Sequence, residues 1–260
     1  MKAINFLKRY VFRHPLYVLA YGVLYLLPNA YSPLHIYKEQ DVQEQVKRGR
    51  SIIRLGDGEI NILLHLRNHY HAFSPRLRSM IAEMISSYDV SSPYILAIPR
   101  FIGVSNKELK RIGKFNVWMP FKSIFFLRFP KRVPYMDAHS FYYPQYFERI
   151  IVPVIADKRI VVITRAGIID DLRRNDRLPW RDIEYVETPE QDLLQSYDEV
   201  TQSIDAILNN HNREDTVLLF AGGPASKYMV YEYSRKGYQG IDVGRGLETV
   251  FTDTSLQHLI

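Results

Sequence analysis

Arg159-Ile-Val-Val-Ile-Thr164 runs directly into Arg165-Ala-Gly-Ile-Ile-Asp-Asp-Leu172. The first piece is almost purely β-branched and apolar, with no polar residue between Ile160 and Ile163. A strand with no side left for water is buried on both faces, the mark of the centre of a parallel sheet. Thr216-Val-Leu-Leu-Phe-Ala221 has the same character. Ser51–Arg54, Tyr94–Ile98, Ile183–Val186 and Gly240–Val243 read as shorter strands. Helical spacing fills the intervals. Glu59–Asn68 carries Ile60, Leu63 and Leu64 at turn spacing. A helix starting at Ser74 or Pro75 puts Leu77, Met80, Ile81, Met84 and Ile85 on one stripe. Asn106–Asn116, Tyr143–Ala156, Gln191–Asn209 and Ala225–Lys236 read as further helices, and Lys122–Phe129 fits neither period. Strand and helix alternate throughout, which predicts an α/β fold: an open, mostly parallel sheet with helices on both faces.

The 260 residues are 47% hydrophobic and 24% charged, enough for one large α/β domain. The chain has no Cys, which excludes disulfides, thiolate catalysis and Cys-ligated zinc. Its net charge of +6 is concentrated: residues 101–132 hold eight Lys or Arg and one acid, Glu108. That stretch also carries Phe115, Trp118, Phe121, Phe125, Phe126 and Phe129. Basic residues among aromatics suit nucleic acid, an anionic membrane or a phosphorylated small substrate. No RNA-binding aromatic signature, zinc-finger spacing or helix-turn-helix accompanies them, so nucleic acid is not expected as a partner. Residues 1–37 form a segment apart, with Lys2, Lys8, Arg9 and Arg13 but no acid before residue 37. Leu16–Leu27 is a mostly apolar helix of about 18 Å, too short for a roughly 30 Å hydrocarbon core. It suits peripheral contact with the inner face of a membrane, in an otherwise cytoplasmic protein. The other reading packs it on the domain or in a homodimer interface.

The chemistry-bearing residues fall just after the strands, where open parallel sheets bind ligands. Ser51-Ile-Ile-Arg-Leu-Gly-Asp-Gly-Glu59 ends a strand with Asp57 and Glu59 among glycines. Two neighbouring carboxylates repel unless a cation lies between them, and hard divalent ions prefer oxygen ligands shared with phosphates. The segment is therefore expected to hold Mn²⁺ or Mg²⁺ through Asp57 and Glu59; a polar turn is the plainer alternative. Arg54 and Gly56 belong to the same strand end. Arg165, Asp170 and Asp171 follow Thr164, and Gly222, Gly223, Pro224, Ser226 and Lys227 follow Ala221. Two glycines, a first-turn Pro and a Lys at a helix start suit an anion, although an ordinary tight turn also explains the glycines. The loop is neither a Walker A sequence nor a dinucleotide fingerprint. Gly244, Arg245 and Glu248 follow the last strand. His65, His69 and His71 lack the pattern of a zinc hydrolase. His139, beside Asp137 in an aromatic loop, is a candidate substrate contact. No Gly-x-Ser-x-Gly elbow exists.

Arg54-Leu-Gly-Asp-Gly-Glu59, Ile163-Thr-Arg-Ala-Gly-Ile-Ile-Asp-Asp-Leu172, Tyr197-Asp-Glu-Val200, Gly222-Gly-Pro-Ala-Ser-Lys227 and Gly237-Tyr-Gln-Gly-Ile-Asp-Val-Gly244 occur in that order. Together they resemble the GT-D glycosyltransferase family over residues 38–250. The resemblance implies a Rossmann-like α/β domain over 38–260, preceded by the 1–37 segment. It implies a metal-dependent transfer of sugar from a nucleotide sugar, UDP-sugar favoured, to a glycan, lipid-linked or protein acceptor in bacterial surface polysaccharide or glycoconjugate synthesis. Asp57-Gly58-Glu59 then matches the family's Asp-x-Glu metal and nucleotide-sugar motif. The Gly222–Lys227 turn and the Asp242–Glu248 segment border the donor pocket. Gly244-Arg245-Gly246 departs from the more usual Gly-His and following Asp, and Gly222-Gly223 from Leu-Gly. Arg54, Arg165 and Lys227 are the expected cations for the leaving diphosphate. Asp171, Glu248 and His139 are the candidate bases for the acceptor hydroxyl. A metal-dependent phosphoester or nucleotide-sugar hydrolase on the same sheet, and a non-catalytic membrane-associated scaffold, are the alternatives.

Overall fold

The computed structural model describes residues 15–27, 34–65, 73–175, 178–180, 182–244 and 246–248. Eight parallel strands form one sheet: β1 (His35–Ile36), β2 (Ser51–Arg54), β3 (Tyr94–Ile98), β4 (Pro134–Asp137), β5 (Arg159–Arg165), β6 (Ile183–Thr188), β7 (Thr216–Ala221) and β8 (Gln239–Asp242), in the order β1-β4-β3-β2-β8-β7-β5-β6. Alternate residues of the central strands enter two separate cores. Ile53, Leu96, Val161, Ile163, Leu218 and Phe220 face one side. Ile52, Ile95, Ala97, Ile160, Val162, Val217 and Leu219 face the other. That two-residue alternation is why the runs carry no polar position.

The described helices are α1 (Pro15–Leu26), α2 (Glu39–Lys47), α3 (Asp57–Leu63), α4 (Pro75–Ser86), α5 (Asn106–Arg111), α6 (Phe115–Arg128), α7 (Ala166–Arg174), α8 (Tyr197–Leu208) and α9 (Gly223–Arg235), besides short turns that include a π turn at Phe147–Ile151. Ser74 caps α4 by accepting from the Leu77 N–H, with Pro75 in the first turn. The expected helix over 59–68 starts earlier and ends at Leu63, and His65 has a left-handed φ of 59°. Its continuation through Asn68, with His69 and His71, lies outside the described residues. The helix expected over 106–116 breaks at Gly113, whose φ of +68° favours glycine. A second helix, α6, follows and absorbs the ambiguous stretch Lys122–Phe129. Strand β4 was not expected from the sequence.

Helix α1 packs Tyr17, Ala20 and Leu24 against the domain, Leu24 joining Leu109, Phe115 and Met119. Carbonyls at its end accept from the Asn106 side-chain amide, 2.5 Å to Leu24 O and 2.9 Å to Leu27 O, with Leu24 O also taking the Leu27 N–H at 3.2 Å. The buried Lys122 ammonium donates in turn to Asn106 Oδ1 at 2.8 Å and Val104 O at 2.6 Å. No helix among the described residues is long and apolar enough to cross a membrane. The basic residues Lys2, Lys8, Arg9 and Arg13 lie outside the described residues.

Candidate active site

The second strand, β2, lies beside the last, β8, and a cavity of about 760 Å³ opens over the carboxyl ends of the sheet. Arg54, Gly56, Asp57 and Glu59 reach it from β2, Arg165 from β5, Gly222, Gly223 and Lys227 from β7, and Gly244 and Glu248 from the segment after β8. The sheet thus brings together residues more than 190 positions apart. Ala138, His139 and Tyr142 after β4, Trp118 of α6, and the Thr188–Leu193 loop after β6 complete the lining.

Beneath the cavity lie four buried charges. Lys227 Nζ is 2.7 Å from Asp242 Oδ2 and 3.8 Å from Glu59 Oε1. The Arg54 N–H donates to Asp242 Oδ2 at 3.2 Å, and Arg54 Nε is 3.7 Å from the same oxygen. Burial alone pulls the Lys227 ammonium down; Asp242 and Glu59 reverse this and hold it above its ordinary value. Two cations and two anions balance in the low dielectric, where removing one member leaves another unpaired. The Arg54 guanidinium lies over the rings of Phe141 and Tyr142, 5.3 and 5.8 Å from their centroids.

This arrangement corrects several expectations. Glu59 is buried; its Oε2 accepts from the Gly56 N–H at 2.6 Å, so it fixes the β2–α3 turn from within. Asp57, one turn position earlier, is exposed to the cavity, with Oδ1 accepting from the Gly58 N–H at 3.0 Å. Asp242 is buried and does not line the cavity; it anchors Lys227 and Arg54. Ser226 is buried, and its hydroxyl donates to Gly223 O and accepts from the Gly222 N–H, which closes the turn instead of meeting a ligand. Asp171 lies outside the cavity on the exposed side of α7, 2.5 Å from Arg174, and Asp170 is likewise exposed outside it. Arg245 lies outside the described residues.

The opposite wall is more open. Arg165 bridges Glu190 at 3.1 Å and Glu248 at 2.9 Å, and its side chain is 41% exposed. Asp192 holds a left-handed φ of 52° in the adjoining loop. The buried Thr188 hydroxyl has no hydrogen-bond partner among the described residues. At the third wall, Trp118 stacks on Phe101 with centroids 5.3 Å apart and planes at 21°, and His139 meets both rings edge-on. His139 Nδ1 is 3.3 Å from Asp137 Oδ1. Burial opposes the Asp137 carboxylate, but hydrogen bonds from His139 and the Arg100 N–H hold it below its usual range. Thr188–Leu193 carries no motif residue and was missed in the sequence; Trp118 was visible there only as one aromatic among many.

Glycine is required at two points of the lining. Gly223 has a φ of +73°, and a Cβ at Gly222 would lie 2.9 Å from Leu193 Cδ2. Both permit the close approach of β7, α9 and the β6 loop.

The described cations lining the cavity, Arg54, Arg165 and Lys227, are all paired, and they face five lining carboxylates: Asp57, Glu59, Glu190, Asp192 and Glu248. The site is therefore acidic before any ligand enters. An anionic ligand here calls for an additional cation. Among the described residues no group of three His, Asp or Glu side chains is placed to hold a metal alone. The exposed Asp57 carboxylate on the cavity wall is the kind of donor that an ion such as Mg²⁺ takes one or two of, completing its shell with phosphates and water.

Fold and site define a parallel-sheet α/β protein with a polar cavity at the carboxyl ends of its strands. The model of the family "Glycosyltransferase GT-D fold" matches residues 121–248. With the shared architecture, this shows that the chain has the GT-D fold and resembles the glycosyltransferases that carry it. A curated relative, "Probable glycosyl transferase Gly" of Streptococcus gordonii, is 20% identical over 227 residues, 79% of this chain. The match spans 31% of that relative's length. A glycosyltransferase from Streptococcus sanguinis has the same fold, with a TM-score of 0.70 at 17% identity over 87% of this chain and 85% of its own. A domain of unknown function 1792, described as having a distinct glycosyltransferase fold, gives 0.71 at 16% identity over 94% and 86%.

Proposed function

We propose that the protein transfers a sugar from a nucleoside diphosphate sugar, UDP-sugar favoured, to a glycan, lipid-linked or protein acceptor in bacterial surface polysaccharide or glycoconjugate synthesis. The observation that carries the reading is the convergence of the Asp57 strand end, the Gly222–Gly223 turn and the Arg165–Glu248 bridge on one acidic cavity. A diphosphate adds negative charge to that cavity, so Mn²⁺ or Mg²⁺ accompanies it, with Asp57 as the protein ligand. When bound, the ion stabilises charge developing on the leaving diphosphate. Glu59 orients the Asp57 turn through the Gly56 N–H. Arg165 turns from Glu190 and Glu248 toward the diphosphate, and the half-buried Gly222–Gly223 turn at the start of α9 lies beside it on the cavity wall. The Thr188 hydroxyl supplies a polar contact to the donor.

For the acceptor hydroxyl, the geometry favours His139 as general base over Asp171. Asp137 holds the ring from behind, and Phe101 and Trp118 meet it edge-on. Glu248 remains tied to Arg165 until ligand arrives. The place of action proposed with this chemistry is the cytoplasm, peripherally at the inner face of the membrane.

The test is a screen of nucleotide sugars against saccharide acceptors with and without Mn²⁺. Acceptor-dependent transfer supports the reading; diphosphate cleavage indifferent to every acceptor replaces it with a hydrolase. Asp57→Ala is expected to abolish the metal-dependent part of nucleoside diphosphate binding by calorimetry without lowering the melting temperature. His139→Gln is expected to lower transfer about 10²- to 10³-fold with nucleotide affinity unchanged.

A further inference from the structure

Helix α1 contains no charged residue, and among the described residues only one side of it is covered. Tyr17, Ala20 and Leu24 face the domain. Leu16, Leu19, Val23, Leu26 and Leu27 form a second stripe, with Leu19 64% and Leu26 77% exposed. A helix apolar all round belongs in a core or in contact with lipid. Val117, near the start of the neighbouring helix α6, is exposed as well.

Charge surrounds this apolar face. Lys107, Lys110 and Lys114 are exposed on the α5–α6 edge. Lys110 Nζ sits 5.0 Å from the Tyr25 ring of α1 and 4.9 Å from Phe115. Arg128 and Arg132 are exposed at the other end of α6. An apolar strip between clusters of lysine and arginine is the pattern of a surface that inserts shallowly among anionic headgroups. A second protein copy would have to present acidic charge around an apolar stripe, and this face does not complement itself.

We propose that the outer face of α1 and α6 is a docking surface for an anionic lipid bilayer, and that docking holds the Trp118 end of the cavity at the bilayer surface. Val117 and Trp118 are consecutive on α6: the first is exposed on the docking face and the second lines the cavity. One residue of helix turns the chain by about 100°, so a single helix forms both the lipid face and the cavity wall. An acceptor anchored in the same bilayer meets the cavity at this wall; that consequence rests on the glycosyl-transfer reading, whereas the docking does not.

The full chain is sedimented with phosphatidylcholine vesicles and with vesicles containing one-quarter phosphatidylglycerol. Binding is expected to the anionic vesicles, at least tenfold weaker to the neutral ones, and reduced by high salt with an apolar residue of attachment. Leu19→Asp combined with Val23→Asp, both on the exposed stripe, is expected to cut binding at least tenfold while leaving melting temperature and nucleoside diphosphate binding unchanged. Absence of wild-type binding to anionic vesicles, or equal binding by the double variant, overturns the docking surface. So does a vesicle-free dimer, seen by analytical ultracentrifugation, that the double variant dissociates. The chain has two tryptophans, so Trp180→Phe leaves Trp118 as the only reporter. Brominated lipid is expected to quench its fluorescence on docking. Vesicle binding without quenching overturns the placement of the cavity. Loss of nucleotide binding in the wild type refutes the transferase reading without touching either result.

Discussion

Two buried lysines show what decides the state of a charge in this molecule. Lys227, under the cavity, faces Asp242 and Glu59, and its ammonium is held above its ordinary value although burial opposes it. Lys122, at the junction of α1 with the domain, donates to the Val104 carbonyl and the Asn106 amide oxygen, and burial lowers it to about 8. Both make short hydrogen bonds. A carboxylate partner restores what desolvation removes, whereas a neutral oxygen does so only in part.

Removing the carboxylate is the strongest way to break the comparison. Asp242→Ala leaves Lys227 and Arg54 buried without their main partner. We expect a loss of about 3–5 kcal/mol in urea unfolding; a loss below about 1 kcal/mol would show that water already screens the cluster. Lys122→Met removes a costly charge but strands Val104 O and Asn106 Oδ1. The expected loss is smaller, about 1–2 kcal/mol, with faster proteolysis near Leu27 as the tether of α1 loosens. A pH series sharpens the contrast further. Above about pH 8 the folded protein sheds the Lys122 proton, while the unfolded chain keeps it to its ordinary 10.5. The unfolded state then binds more protons, so stability rises with pH. Lys131, also lowered to about 8 by burial, adds to the effect. Melting temperature should climb by about 2 °C between pH 8 and 9.5, less in Lys122→Met. Lys227 contributes nothing there, being charged in both states. Arg165→Ala marks the small end of the scale for stability. Its exposed pairs are worth about 0–1 kcal/mol, so unfolding should barely move while nucleoside diphosphate affinity drops about tenfold.

The strand–helix alternation and most central strands were legible because their β-branched runs and turn residues are local signals. Strand β4 was not, because Pro134 opens it and its sheet partner β3 lies some 40 residues away. The site was legible as a list of polar residues after strands, but not as a division of labour. Asp57 and Glu59 look equivalent on paper. Two residues along a helix start turn one carboxylate into the cavity and the other back onto the Gly56 N–H. Ser226 and Asp242 were misread for the same reason: they sit at strand or helix ends, but tertiary burial assigns them to turn closure and charge pairing. The Thr188–Leu193 wall carries no motif, since its part in the cavity comes from where β6 ends.

Gly244 sets a constraint of another kind. Its φ is +48°, and a Cβ there would lie 1.8 Å from Arg54 Nη2. In evolutionary terms the two positions are epistatic: a side chain enters at 244 only if the Arg54 guanidinium moves aside or is lost. Removing that guanidinium takes a cation from the pair with Asp242. A lineage drifting away from glycine here must therefore pass through a sequence that weakens its own buried charge balance. The left-handed backbone still penalises whatever replaces glycine. The 54–244 pair is free to change only as a unit, and most single steps toward that change lead downhill in stability.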